Sequence, residues 1–250
     1  WLDGDDEPGL ELVAVSANDK ARAVSRLAHL KTPPQVLELG DLADVADVIV
    51  ECAPPEFFRA VCGPAVEQGK ILITLTVSQL LHEMDLVDRA RETGASIIVP
   101  TGALVGLDAV RAAAEGNLKS VVMRTHKPPA GFQKALWVRE QGIDLMGLTE
   151  PRKLYDGTVR EAAGRFPANV NVAVALGLAG LGVDETRYQV WADPTITRNT
   201  HWITVESDIV KIEMNIAGEP TPDNPATGKI VPLSLIATLR GLIQPLKVGT

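Results

Sequence analysis

Asp47-Val48-Ile49-Val50-Glu51-Cys52-Ala53 is an almost unbroken apolar run closed by a Pro-Pro pair at 54–55. A strand with one wet face alternates polar and apolar residues. A strand covered by helices on both faces reads as this one does, and that is the habit of parallel sheets. Pro54 and Pro55 then suit the first turn of a helix. The run therefore predicts a buried parallel strand leading directly into a crossover helix.

Working outward, residues 10–16, 35–39, 71–77 and 96–99 are further strand-like runs. Residues 19–30, 55–68 and 78–93 place apolar side chains at helical spacing between them. Gly69 and Gly94 follow the last two of these segments, where a helix commonly ends. Strand and helix alternating in this way predict a doubly wound α/β sheet of the Rossmann kind over residues 1–100. Such a sheet opens with a strand and a glycine-rich turn that cradles a pyrophosphate on a helix N-terminus. The sequence contains no G-x-G-x-x-G. Residues 10–16 thus read as the second strand, with Trp1-Leu2 the end of the first helix, and this domain is expected to be N-terminally incomplete.

Beyond Pro100 the texture changes. Helical patterns occupy 104–115, 158–166, 170–181 and 233–243, and strand patterns occupy 120–125, 187–192, 201–206 and 210–216 with short connections. A second, α+β domain with a mixed or antiparallel sheet is expected over 101–228. A closing helix within 229–250 is expected to pack back on the first domain.

The bulk properties narrow the function. With 24 basic against 32 acidic residues the formal charge is −8, which disfavours binding to a nucleic-acid backbone. The two cysteines, Cys52 and Cys62, offer neither a disulfide framework nor a zinc spacing. No apolar stretch approaches a membrane span, and Trp1-Leu2-Asp3-Gly4-Asp5-Asp6 lacks the basic and apolar regions of a signal peptide. A soluble, cytoplasmic protein without a metal site or a nucleic-acid partner is the expectation.

Ligands of open α/β sheets bind beyond the carboxyl ends of the strands. Ala53 and Ser78 follow two such ends and are candidate cofactor contacts, Ser78 serving equally well as a helix cap. At the end of the 10–16 strand stands Ser16-Ala17-Asn18-Asp19-Lys20 in place of the usual ribose-binding acid. Asn18 is compatible with NAD or NADP there, or with a plain capping role.

Four further stretches stand in a fixed order. They are Pro100-Thr101-Gly102-Ala103-Leu104-Val105-Gly106-Leu107-Asp108, Lys127-Pro128-Pro129, Phe166-Pro167-Ala168-Asn169-Val170-Asn171-Val172 and Ala192-Asp193-Pro194-Thr195-Ile196-Thr197-Arg198-Asn199-Thr200-His201. Together they resemble the L-aspartate dehydrogenase family over nearly the whole chain, the last two being the most specific. The resemblance implies a dinucleotide-binding domain followed by a dimerising α+β domain, similar in plan to dihydrodipicolinate reductase and homoserine dehydrogenase. It implies oxidation of L-aspartate with NAD or NADP to iminoaspartate, the imine yielding oxaloacetate and ammonia or entering de novo NAD synthesis, in a homodimer.

It also implies roles for residues. His201 matches the catalytic histidine; its bland alternative is a polar residue at the start of an edge strand. Asn171 and Val105 match cofactor contacts, through a side-chain amide and through the backbone respectively, and Asn169 offers to cap the helix that follows. Arg198, Asn199 and Thr200 are candidate donors to the substrate's carboxylates, with a structural ion pair as the alternative for Arg198. His29, His82 and His126 read as solvated or locally bonded. Two departures stand out: the absent phosphate loop, and the bulk of Trp202 directly after the histidine. A related amino- or imino-acid oxidoreductase and a non-catalytic cofactor sensor or scaffold are the competing readings.

Overall fold

The computed structural model describes residues 9–132, 135–166, 170–221 and 227–249. The expected helix end at Trp1-Leu2 and the expected cap Asn169 lie outside them. The chain divides into two compact units, one made of residues 1–100 and 238–245, the other of 101–237 and 246–250.

The first unit runs β1 (Ala14–Val15), α1 (Lys20–Leu27), β2 (Gln35–Val36), α2 (Leu42–Val45), β3 (Val48–Glu51), α3 (Phe58–Glu67), β4 (Ile71–Thr74), α4 (Val77–Leu80), α5 (Asp85–Thr93) and β5 (Ser96–Ile98). All its strand pairs are parallel: β1 with β2, and β3 with β4 with β5. The opening run is thus a parallel strand. It leads through a 3-10 turn at Pro55–Phe57 into α3. That helix buries Phe58, Val61, Cys62, Ala65 and Val66 against Ile49, Leu72, Leu80 and Leu86. Removing the valine, leucine, isoleucine and phenylalanine side chains among these from water contributes roughly 1.5–3 kcal/mol each. Gly94 ends α5 in the left-handed conformation, φ 79°, its N–H donating to the Ala90 carbonyl.

Three expectations for this unit need correction. The strand over 71–77 stops at Thr74, so Ser78 neither follows a strand end nor caps a helix; it lies buried inside α4. The helix over 78–93 is two helices. The second restarts at Asp85, where the acidic side chains of Asp85 and Asp88 favour a new N-terminus. Asp19, not Asn18, caps α1, its carboxylate accepting from the Arg22 N–H at 2.9 Å.

The second unit runs α6 (Leu107–Ala114), β6 (Leu118–Lys127), α7 (Leu136–Glu140), β7 (Arg152–Thr158), α8 (Val159–Arg165), α9 (Asn171–Ala179), β8 (Arg187–Ala192), β9 (Asn199–Ser207), β10 (Lys211–Gly218) and α10 (Ile230–Ile243), the last reaching into the first unit. Its sheet has the order β10-β9-β6-β8-β7, mixed as expected: β6 and β8 are parallel and the other pairs antiparallel. One face buries Val121, Met123, Tyr188, Val190, Ile203 and Val205, with α6, α8 and α9 among the helices of the unit. β9 lies between β10 and β6, so His201 stands on an interior strand rather than an edge.

Candidate active site

Alternation along β6 and β9 sorts their polar residues onto two faces. Thr125 and His201 are direct cross-strand partners, and Lys127 follows Thr125 on the same side. All three are buried, His201 at 4% exposure and Lys127 at 7%. The Thr125 hydroxyl lies 2.9 Å from His201 Nδ1 and also engages the buried Tyr188 hydroxyl. His201 Nε2 has no hydrogen-bond partner among the described residues.

Burial, with the charge of Lys127 adding to it, pulls His201 down to about 3, so the imidazole is neutral across the physiological range. Burial also pulls the Lys127 ammonium down to about 8. Two basic groups thus sit where their charged forms are disfavoured.

The opposite face is a separate construction. His126 Nδ1 is 2.7 Å from Asp193 Oδ2, its ring stacks on Trp191 with centroids 5.3 Å apart, and the edge of Trp202 meets it at 4.8 Å. The other Asp193 oxygen accepts from the backbone N–H and hydroxyl of Thr195. Asp193 therefore folds the loop that leads into β9. Trp202 owes its bulk to this packing, pointing away from the face of His201. His126 is partly buried and paired with Asp193, the bonded rather than the solvated of the two alternatives.

The substrate residues expected from the sequence separate in the same way. Asn199 shares the face of His201 by alternation, and Thr200 points to the other, its hydroxyl donating to the Arg198 carbonyl at 3.3 Å. Arg198 pairs with Glu219 at 2.7 Å, both half exposed, the ion pair named as its alternative. Asn171 is the first residue of α9. Val105 stands exposed in the turn before α6, between Gly102 (φ 62°) and Gly106 (φ 70°). A Cβ at Gly106 would come within 2.7 Å of Met214 Sδ, so this glycine lets the turn approach β10 closely.

In the first unit a cleft of about 1290 Å³ opens between β1 and β3, lined at the carboxyl ends of the strands by Ser16, Ala17, Asn18, Glu38, Cys52, Ala53 and Pro54. Asn18 and Ala53 lie in it and Ser78 does not. Its floor is set by Glu51, 1% exposed. One Glu51 oxygen accepts from the Ala53 N–H (2.9 Å) and Thr76 hydroxyl (2.9 Å), the other from the Thr74 hydroxyl (2.7 Å) and Thr76 N–H (3.1 Å). Four neutral donors tie the end of β3 to the end of β4. A sequence signal for this exists: a lone acid inside an apolar strand demands partners. Small side chains with hydroxyl and amide groups at strand ends fit the sugar and base of a dinucleotide. Among the described residues no glycine-rich turn offers itself to the phosphates.

Comparison with known proteins agrees with this division. Residues 2–100 match the NAD-binding domain of homoserine dehydrogenase, and residues 108–242 match the C-terminal domain of aspartate dehydrogenase. An L-aspartate dehydrogenase of Bradyrhizobium diazoefficiens is 51% identical over 98% of this chain and 88% of its own length. One of Methanosarcina acetivorans is 36% identical over 98% and 92%. The crystal structure of aspartate dehydrogenase from Thermotoga maritima superposes with a TM-score of 0.70 over 96% of this chain and all of that one, at 23% identity, a likeness of fold. These matches define an oxidoreductase with an NAD-binding domain, using NAD or NADP. Within that class, the chain belongs to the L-aspartate dehydrogenase family.

Proposed function

We propose that this protein oxidises L-aspartate at its α-carbon with NAD or NADP, giving iminoaspartate and, after hydrolysis, oxaloacetate and ammonia. The relative from Bradyrhizobium diazoefficiens that carries this activity in its name, 51% identical over almost the whole chain, is the observation that carries the reading. The nicotinamide ring, when bound, supplies the acceptor for the hydride from the α-carbon.

The protein's own task is to take a proton. The substrate amine must be neutral for its lone pair to form the C=N bond, so a base is needed beside it. A Thr125 hydroxyl turned toward Tyr188 accepts the His201 Nδ1–H, which leaves the Nε2 lone pair for the substrate. The buried, uncharged imidazole supports His201 as that group. In the first unit Asn18 and Ala53 are the proposed dinucleotide contacts; in the second, Val105 and Asn171 are, with Asn199 toward the substrate. A homodimer and a place in pyridine nucleotide synthesis are proposed from the family resemblance, and a cytoplasmic setting from the two cysteines without a disulfide framework.

The test is direct. Full-length protein given L-aspartate and either dinucleotide is expected to generate the absorbance of reduced nicotinamide. A rise with another amino acid and none with aspartate would replace the substrate.

A further inference from the structure

A dicarboxylic substrate brings two negative charges, and a site for it needs a cation on the face where the chemistry occurs. Arg198, the cation nearest to His201 in sequence, pairs with Glu219 at 2.7 Å, outside the buried face. On the face of His201 the strand places a different one. Lys127 is the last residue of β6, two beyond Thr125 and diagonal to His201 across the β6·β9 pair, a placement that sets Cα atoms about 7–8 Å apart.

We propose that Lys127 binds a carboxylate of the substrate and so holds the amino end of the molecule against His201. This rests on the aspartate-oxidising reading above. The geometry also links binding to the proton transfer. The charge of Lys127 is one of the two causes that keep His201 from taking a proton. A carboxylate seated on the ammonium neutralises that charge, and its partner on the substrate adds another negative group nearby. Both raise the proton affinity of His201 when, and only when, a substrate is present. The buried lysine gains in the same step, because an anion favours the charged form that burial disfavours.

On the same face as Lys127 stand His201 from β9 and, beside Met123, the buried Tyr188 phenol from β8. The carboxylate of Asp193, just past the Ala192 partner of Lys127, is turned to His126 on the other face.

Lys127→Met keeps the length and apolar stem of the side chain and removes its charge; Lys127→Arg keeps the charge. Two readouts are used on the full chain: steady-state kinetics with L-aspartate, and calorimetric binding of succinate, a dicarboxylate with no amine to oxidise. The expected result is a KM for L-aspartate raised at least ~30-fold in Lys127→Met, the usual cost of losing a charged hydrogen-bond partner. The fall in kcat should be smaller, succinate binding should be lost, and binding of reduced dinucleotide should be unchanged. Lys127→Arg is expected to recover part of the succinate affinity. Unchanged KM with a lower kcat in Lys127→Met would make the lysine an acid–base group and overturn the proposal, as would succinate binding that survives the substitution or is absent from the unaltered protein. If the unaltered protein binds succinate but does not oxidise aspartate, it is the substrate reading that fails, and the carboxylate subsite stands.

Discussion

Glu51 in the first unit and the His201–Lys127 pair in the second are both ionisable groups buried in an apolar sheet, and they are handled in opposite ways. Glu51 spends both oxygens on four neutral donors from residues 53, 74 and 76. A carboxylate so satisfied is structural: it locks two strand ends into fixed positions and has little left to offer a ligand. His201 has one ring nitrogen on Thr125 and the other without a partner among the described residues, and both it and Lys127 sit where burial opposes their charge. Groups held in that state change most when a charged ligand arrives, which is what a site for acid–base work requires.

The contrast is open to attack from several sides. The largest stability effect is expected from Glu51→Ala, which strands the donors of Thr74, Thr76 and Ala53: a loss of about 3 kcal/mol or more, measured by denaturant unfolding, with a weaker affinity for the dinucleotide. Stability unchanged within ~0.5 kcal/mol would remove Glu51 from its structural role. Next comes Thr125→Val, which deletes the hydroxyl that orients His201 at nearly constant volume. Turnover of aspartate should fall about 10–100-fold, as for other residues that orient a reacting group, and the melting temperature should fall by a few degrees, because the buried Tyr188 hydroxyl and His201 Nδ1 lose their partner.

The third is a pH effect. His201 has its proton affinity lowered in the folded state, from 6.5 to about 3. The unfolded chain therefore binds a proton there that the folded chain does not, and this contribution to stability is present above the unfolded value and lost as pH falls from 6.5 toward 3. His201→Asn should accordingly lose less stability than the unaltered protein between pH 6.5 and 4, a difference of a few degrees in melting temperature. Equal slopes would mean that the imidazole is not desolvated.

The sequence read some of this well and some not at all, for physical reasons. β8 was legible to the residue, because Arg-Tyr-Gln-Val-Trp-Ala alternates cleanly between a wet and a dry face. β3 was legible for the contrary reason, a continuous apolar run with both faces covered. β6 was expected over 120–125 and extends to Lys127, since a lysine with a Pro-Pro pair behind it reads as an exposed end and not as a buried one. That single misjudged end hid the cation of the site. β7, Arg-Lys-Leu-Tyr-Asp-Gly-Thr, is an edge strand with a glycine and three charges, which no periodicity betrays; α7 is too short to show one. His201 was found through its motif, but its partner Thr125 lies 76 residues away, and only the register of β6 against β9 brings the two together.

The measurement that bears most directly on the account is turnover of L-aspartate by His201→Asn, set beside binding of the reduced dinucleotide to the same variant. Loss of kcat by about 10³-fold or more, with dinucleotide affinity within ~3-fold of the unaltered protein, is the predicted result for a group that acts on the proton and not on the cofactor. Turnover retained to within ~10-fold would contradict it, and would move the chemistry away from the buried face of β6 and β9.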